Sequence, residues 1–102
     1  IQAPLREFHE ALEELYGDRL QAVILYGSWA RAEATADSDI DVLVVLRGKI
    51  IPGLEIDRMI DIITDINLKH GVLLSVYPMA EEEYNEVQSP LLRNVRAEGV
   101  PA

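Results

Sequence analysis

The segment YGSWARAEATADSDIDVLVVL, residues 26–46, decides the fold and contains the most distinctive residue spacing in the chain. It places a Gly-Ser pair ten residues before an Asp-Ile-Asp triplet and ends in an apolar, β-branched run. Because alternate side chains of a strand point to the same face, Asp39 and Asp41 would project side by side. Two like charges at that separation repel one another unless a cation or a proton lies between them. The segment therefore predicts a buried strand that begins in a cation-binding site.

The Gly-Ser pair ahead of this strand has the chemistry of a phosphate-binding turn. Gly27 lets backbone N–H groups approach a phosphate because no side chain intervenes. Ser28 adds a hydroxyl donor at the start of a helical turn, where the helix dipole favours anions. Asp39 and Asp41 offer the oxygen ligands that Mg²⁺ prefers, and Arg31 can bind phosphate oxygens through its planar guanidinium. Together these residues predict a metal–nucleotide site.

Each of these residues also has a purely structural interpretation. An Asp-x-Asp at the start of a strand can simply face solvent, and Gly27 alone would be an ordinary turn glycine. Ser28 can serve as a helix N-cap, and Arg31 can form a surface ion pair. For Trp29, packing or a partner contact is favoured over stacking on a base. The spacing of the whole pattern favours the metal site.

Composition indicates one globular domain with an acidic surface. The chain has 102 residues, of which 49% are hydrophobic and 26% charged, and it has no cysteine, so disulfide and thiolate chemistry are excluded. No apolar run approaches the roughly 20 residues of a membrane span, and the N-terminus does not resemble a signal peptide, so a cytoplasmic location is expected. The net charge of −9 argues against nucleic acid as the main partner.

Hydrophobic periodicity predicts both helices and strands, and the expected fold is an α+β domain with a small mixed β-sheet flanked by helices. The predicted helices cover residues 4–16, 54–70, 80–87 and 90–98, with a helical turn at 29–32 and a polar loop at 33–38. The predicted strands cover residues 21–26, 39–46 and 72–77, and Pro78 is expected to end the last one. Three tyrosines are interpreted as core or edge residues rather than catalysts: Tyr26, Tyr77 and Tyr84.

The sequence GSWARAEATADSDIDVLVV, residues 27–45, resembles the signature of nucleotidyltransferases of the DNA polymerase β superfamily. The form GS-x10-D-x-D in so short a chain is similar to the minimal nucleotidyltransferase (MNT) branch. Members of that branch are often antitoxins encoded beside a helical HEPN-domain ribonuclease toxin. The resemblance implies a polymerase-β-like palm without accessory domains, with residues 1–102 as a single minimal nucleotidyltransferase domain.

The resemblance also implies a role for each residue of the motif. Gly27 and Ser28 would hold the triphosphate of ATP or another nucleoside triphosphate, while Asp39 and Asp41 would be the catalytic ligands of Mg²⁺. The implied reaction transfers AMP to a hydroxyl, expected to be a tyrosine of a HEPN-type toxin. In a chain this short one side of the nucleotide face stays open, which predicts a partner protein or a homo-oligomer.

One position departs from the family pattern. Many members of the superfamily carry a third carboxylate on the next core strand, where VLLSVY of this chain offers Ser75. Because a neutral hydroxyl is a poor base and a poor metal ligand, a second interpretation is a catalytically weakened module that binds its partner by contact alone. An acidic side chain reaching the Asp39–Asp41 face from elsewhere would favour the enzyme. Transfer to a small molecule is disfavoured because the chain leaves little room for an acceptor pocket.

A second acidic feature lies at positions 57, 61 and 65, where aspartates repeat every four residues. That spacing places them on one stripe of the predicted helix, where like charges repel slightly. A solvated face is the favoured interpretation, and a docking surface for a basic partner is the alternative.

Overall fold

The computed structural model describes residues 1–86 and 89–102, which form one mixed sheet with helices on both faces. The helices are α1 (Gln2–Tyr16), α2 (Pro52–His70), α3 (Glu81–Glu86) and α4 (Pro90–Glu98). The strands are β1 (Leu20–Tyr26), β2 (Ile40–Leu46), β3 (Leu74–Ala80) and β4 (Val100–Pro101). This architecture confirms the predicted α+β class and its small mixed sheet.

The acidic strand β2 is an inner strand of the sheet, which has the order β3-β2-β1-β4. It pairs antiparallel with β1 and parallel with β3, and β4 adds to the far side of β1. Every side chain from residue 42 to residue 46 is buried, because neighbouring strands flank β2 and helices cover both of its faces. The acidic start of β2 therefore lies at the rim of the sheet, and the buried remainder of the same strand anchors it there.

Two apolar cores lie on opposite faces of the sheet. One packs α1 and α2 against strand residues that include Val23, Leu25, Ile40, Val42, Val44 and Leu46. The other packs α4 against the opposite face through Leu43, Val45, Met79, Leu92 and Val95. Because side chains alternate along a strand, Asp39 and Asp41 share the face of Leu43 and point to the α4 side.

Strand β3 differs from its prediction in extent. It continues through Pro78 to Ala80, so the expectation that Pro78 ends the strand is wrong. Strand β3 lies at the edge of the sheet, where a proline nitrogen that points away from the neighbouring strand removes no ladder hydrogen bond. The strand starts at Leu74, whose N–H donates to Asn67 Oδ1 at 2.9 Å. Strand β4 was not predicted, because a strand of two residues shows no hydrophobic periodicity. The predicted end of the third helix, Val87, lies outside the described residues.

The outer surface of α2 carries the aspartate stripe. Asp57, Asp61 and Asp65 are all exposed, in agreement with a solvated face. Within the ranges that the structure describes, no helix is both long and apolar enough to cross a membrane.

The inner face of α2 holds a buried carboxylate that the sequence did not reveal. Glu55 is 4% exposed and accepts a hydrogen bond from Tyr16 Oη at 2.8 Å. Arg58 Nη1 and Arg19 Nη2 lie 3.7 and 4.0 Å from its two oxygens. Burial and the hydrogen bond to Glu55 raise the pKa of the Tyr16 phenol, so this donor stays protonated at neutral pH. The cluster joins α1 to α2 at the end of the sheet opposite Asp41.

Replacing Tyr16 with Phe tests this cluster. We expect Tyr16→Phe to lower the free energy of unfolding by about 1–3 kcal/mol, because the buried Glu55 carboxylate loses its hydroxyl donor. Urea denaturation measures the change. The matched control is Tyr77→Phe, which removes the same hydroxyl from an exposed ring with no hydrogen bond to a described residue. Equal stability of the two variants would contradict the assignment.

Candidate active site

The chain reverses direction immediately after β1. Gly27 has φ 75°, and its carbonyl accepts a hydrogen bond from Arg31 N at 3.2 Å. The carbonyl of Ser28 accepts another from Glu33 N at 2.9 Å. The helical turn predicted at 29–32 is therefore a series of tight turns. These bonds fix the backbone that comes after Gly27.

The Gly27 turn lies directly against the acidic strand. Asp41 is the register partner of Tyr26, the last residue of β1. A Cβ atom built on Gly27 would overlap Asp41 Oδ2, and the positive φ independently disfavours any other residue. The intervening residues thus loop out so that a glycine backbone and a carboxylate can touch. The structure brings the two halves of the predicted motif into one site.

Trp29 anchors the loop between these halves. Its indole Nε1 donates to the carbonyl of Ser38 at 3.1 Å, and its ring packs against the core that includes α1 and α2. Ser38 also closes the loop locally, since its hydroxyl accepts from Thr35 N at 2.9 Å. The packing interpretation of Trp29 agrees with these contacts. The loop ends at Ser38, immediately before Asp39.

The two aspartates of the motif differ in their surroundings. Asp39 is exposed and immediately precedes β2, whereas Asp41 is partly buried within the strand. Burial raises the pKa of the Asp41 carboxyl, the negative charge of Asp39 raises it further, and Arg31 acts in the opposite direction. The ionised pair is therefore held together at an electrostatic cost that a bound cation would relieve.

The donor set fits Mg²⁺ bound together with a triphosphate. Mg²⁺ is commonly held by one or two carboxylates, with water and substrate phosphates in the other positions. Among residues 1–86 and 89–102, no group of three or more His, Cys, Asp or Glu side chains could hold a metal ion by itself. Ser75 is the register partner of Asp41 on β3, as the sequence indicated. Within the described chain, then, no third acidic side chain completes the pair.

Arg31 lies beside the site but is bound to other side chains. Its Nε is 3.0 Å from Glu33 and its Nη1 is 3.2 Å from Glu98, the last residue of α4. These hydrogen bonds raise the pKa of Arg31. Exposed ion pairs of this kind are weak because water screens them, so a phosphate can compete for the guanidinium. The surface ion pair is present, and the phosphate contact stays a prediction.

Two tyrosines flank Asp41 on the same face of the sheet. Tyr26 is its partner on β1, and Tyr77 lies two residues after Ser75 on β3. Burial raises the pKa of the Tyr26 phenol, and the nearby Asp41 and Tyr77 raise it further. Tyr26 also packs with the core under α4, so its interpretation as a core residue holds. Strand pairing places both Tyr26 and Tyr77 beside Asp41, and no local sequence pattern determines that pairing.

Comparisons with known proteins show which family the chain is similar to. A family model described as a nucleotidyltransferase domain matches residues 5–99. A Methanocaldococcus jannaschii protein named "Putative protein adenylyltransferase" is 36% identical over 96 residues, covering 93% of this chain and 90% of the relative. A second protein of that organism with the same name is 36% identical over 72 residues, covering 70% of this chain and 71% of its own length.

Solved structures show the same fold. A crystal structure of a toxin–antitoxin with AMP-PNP superposes with a TM-score of 0.64 at 15% identity, covering 92% of this chain and 68% of that chain. A toxin–antitoxin MntA–HpeT mutant superposes with a TM-score of 0.63 at 13% identity, covering 91% and 68%. At these identities the likeness establishes the fold alone.

The family match includes both the Gly27 turn and the Asp39–Asp41 strand, and the first relative aligns over nearly its whole length. These findings confirm the resemblance drawn from the sequence and the enzyme class that it implied. Because the matched region runs from the first turn of α1 to the residue before β4, the chain belongs to the nucleotidyltransferase domain family.

Proposed function

We propose that this chain is a Mg²⁺-dependent protein adenylyltransferase that transfers AMP from ATP to a tyrosine of a partner toxin. The observation that carries the proposal is the contact between the Gly27 backbone and the Asp41 carboxylate. A phosphate held on the turn would lie beside the carboxylates that bind its counter-ion. The names of the relatives support AMP transfer to protein, and the toxin–antitoxin neighbours support an antitoxin role.

In this proposal each element of the site has one task. Asp39 and Asp41 hold Mg²⁺, while Gly27 and Ser28 bind the triphosphate through backbone N–H groups and the hydroxyl. When bound, Mg²⁺ would neutralise the negative charge on the phosphates during transfer and would favour loss of the proton from the attacking hydroxyl. Arg31 exchanges Glu33 and Glu98 for phosphate oxygens. The rigid pairing of Tyr26 with Asp41 keeps the turn and the strand in register during this exchange.

The reaction itself is a displacement at the α-phosphorus of ATP. The acceptor oxygen forms a new bond to that phosphorus, the bond to the β-phosphate bridging oxygen breaks, and pyrophosphate leaves. The acceptor also loses a proton, and Ser75 is a poor base for it. We therefore infer that the partner supplies the base together with its tyrosine. A helical HEPN-type toxin is the expected partner, and the cytoplasm is the expected location.

Ser75 also favours a second candidate function. In this second candidate the chain binds nucleotide and neutralises its partner by contact, without transferring AMP to it. The two candidates make the same prediction for nucleotide binding and opposite predictions for labelling of the partner. Incubation of the purified complex with Mg²⁺ and ATP labelled at the α-phosphate separates them, since only the enzyme leaves the label on the partner's tyrosine.

The double variant Asp39→Asn, Asp41→Asn tests the metal site. We expect it to reduce Mg²⁺-dependent ATP binding below detection in calorimetric titration, because both anionic ligands of the metal are lost. Its thermal midpoint should equal or exceed that of the unmodified protein, because a repelling pair has been neutralised. Titration in EDTA should give no binding for either protein.

The matched control is Asp57→Asn, Asp61→Asn, which removes the same charge from the exposed stripe of α2. It should retain ATP binding, which separates a local metal site from a general effect of net charge. Unfolding of the Asp39–Asp41 variant would mean that these carboxylates are structural. Equal loss of binding in both double variants would overturn the site.

Gly27→Ala tests the contact between turn and strand. We expect loss of ATP binding, because the new methyl group must displace the Asp41 carboxylate. The left-handed backbone alone should cost on the order of 1–3 kcal/mol of unfolding free energy. Gly48→Ala is the control, since Gly48 has φ 87° but no atom within 4 Å of its added Cβ. Gly48→Ala should be destabilised yet bind ATP, and equal binding by both variants would contradict the proposed contact.

A further inference from the structure

Tyr77 is an exposed tyrosine on β3, the strand that pairs with the acidic strand β2. Its side chain is 43% exposed, and its hydroxyl makes no hydrogen bond to a described residue. It lies on β3, the edge strand that also carries Ser75 in place of a third carboxylate. More than half of the residue's surface is buried, so the ring packs at the sheet edge while part of it stays open to solvent.

Strand register directs Tyr77 towards the candidate metal site. Asp41 is paired with Ser75 and Leu43 with Tyr77, so Tyr77 is the diagonal neighbour of Asp41 on the same sheet face. Diagonal neighbours on adjacent strands lie about 7–8 Å apart, within reach of an aromatic side chain. Asp41 is also the register partner of Tyr26 on β1, so Tyr26, Asp41 and Tyr77 share one face of the sheet.

The other three tyrosines are less suited as acceptors because each is more buried than Tyr77. Tyr16 is buried and donates to Glu55 at the opposite end of the sheet. Tyr84 packs with the core under α4 and carries the Arg96 guanidinium 5.5 Å from its ring centroid. Tyr26 packs in that same core beneath the site. Of the four tyrosines, Tyr77 alone is an exposed residue, and it lies on the same sheet face as Asp41.

We propose that, in the absence of a partner, the chain transfers AMP to its own Tyr77 in an intramolecular reaction. Tyr77 Oη forms the bond to the α-phosphorus of ATP, the bond from that phosphorus to the bridging oxygen breaks, and pyrophosphate leaves. Because the partner's base is absent, the phenolic proton passes to solvent water, and this self-transfer is slower than transfer to the partner. This inference rests on the proposed function, because it uses the same nucleotide site. It adds an acceptor within the chain and a modification site on β3.

Self-modification would limit the activity of a chain without its partner. An adenylyl group on Tyr77 occupies the space beside Asp41 and hinders entry of a second ATP. A docked partner covers the open edge of β3 and presents its own tyrosine, which excludes Tyr77 from the α-phosphate. The unmodified form therefore persists where the partner is bound.

The test uses the purified chain with Mg²⁺ and ATP labelled at either the α- or the γ-phosphate. We expect label from the α position to remain on the protein, label from the γ position to be lost, and mass spectrometry to locate the adduct on Tyr77. Tyr77→Phe should abolish labelling, whereas Tyr84→Phe should retain it. The labelled fraction per unit time should not change with protein concentration, because the reaction is intramolecular.

ATP binding is measured by calorimetry on the same samples. If the unmodified chain binds ATP with Mg²⁺ but acquires no α label, the inference about Tyr77 fails while the nucleotide site stands. Label that persists in Tyr77→Phe, or a rate that rises with protein concentration, also overturns it. If no ATP binds, the proposed function fails first and the inference fails with it.

Discussion

The close approach of the Gly27 backbone to the Asp41 carboxylate is the constraint on which the rest of the structure depends. It requires a residue without a side chain at a positive φ, and it requires β1 and β2 to pair so that Tyr26 lies opposite Asp41. A shift of one residue in that register would turn Asp41 to the other face and bury it in the core beneath α1 and α2. The close packing of β2 forbids such a shift, because it would also expose buried side chains on both faces.

An acidic pair at the rim of a sheet is tolerable because the rest of its strand is firmly packed. The buried run 42–46 supplies the packing that anchors β2, while Asp39 remains in solvent and only Asp41 is partly withdrawn from water. Burial and the neighbouring charge both raise the pKa of Asp41, so the two carboxylates by themselves are electrostatically unfavourable. Binding of a cation would relieve this repulsion. The packing of β2 keeps the two carboxylates together, because the strand cannot move to separate them.

The sequence alone was sufficient to predict the features that depend on residue type and local spacing. The glycine turn, the acidic strand and the long helices are predictable from residue type and periodicity. The position of Ser75 opposite Asp41 was expected only from the family resemblance and an assumed strand pairing, and the structure has that pairing. Features that the sequence could not predict depend on tertiary position. The strand passes through Pro78 because it lies at an edge, Glu55 is buried because Tyr16 reaches it, and Arg31 meets Glu98 across 67 positions of chain.

The edge position of β3 connects the incomplete site with the need for a partner. A third carboxylate on this strand would complete a metal site within the chain, but Ser75 is neutral and exposed. The same edge exposes unpaired backbone groups and the Tyr77 ring, so a protein docked there would meet the nucleotide and the incomplete ligand set together. Chemistry that needs a base is then efficient only when that surface is covered. In such an arrangement the neutral residue on β3 makes fast transfer conditional on the partner that receives the AMP.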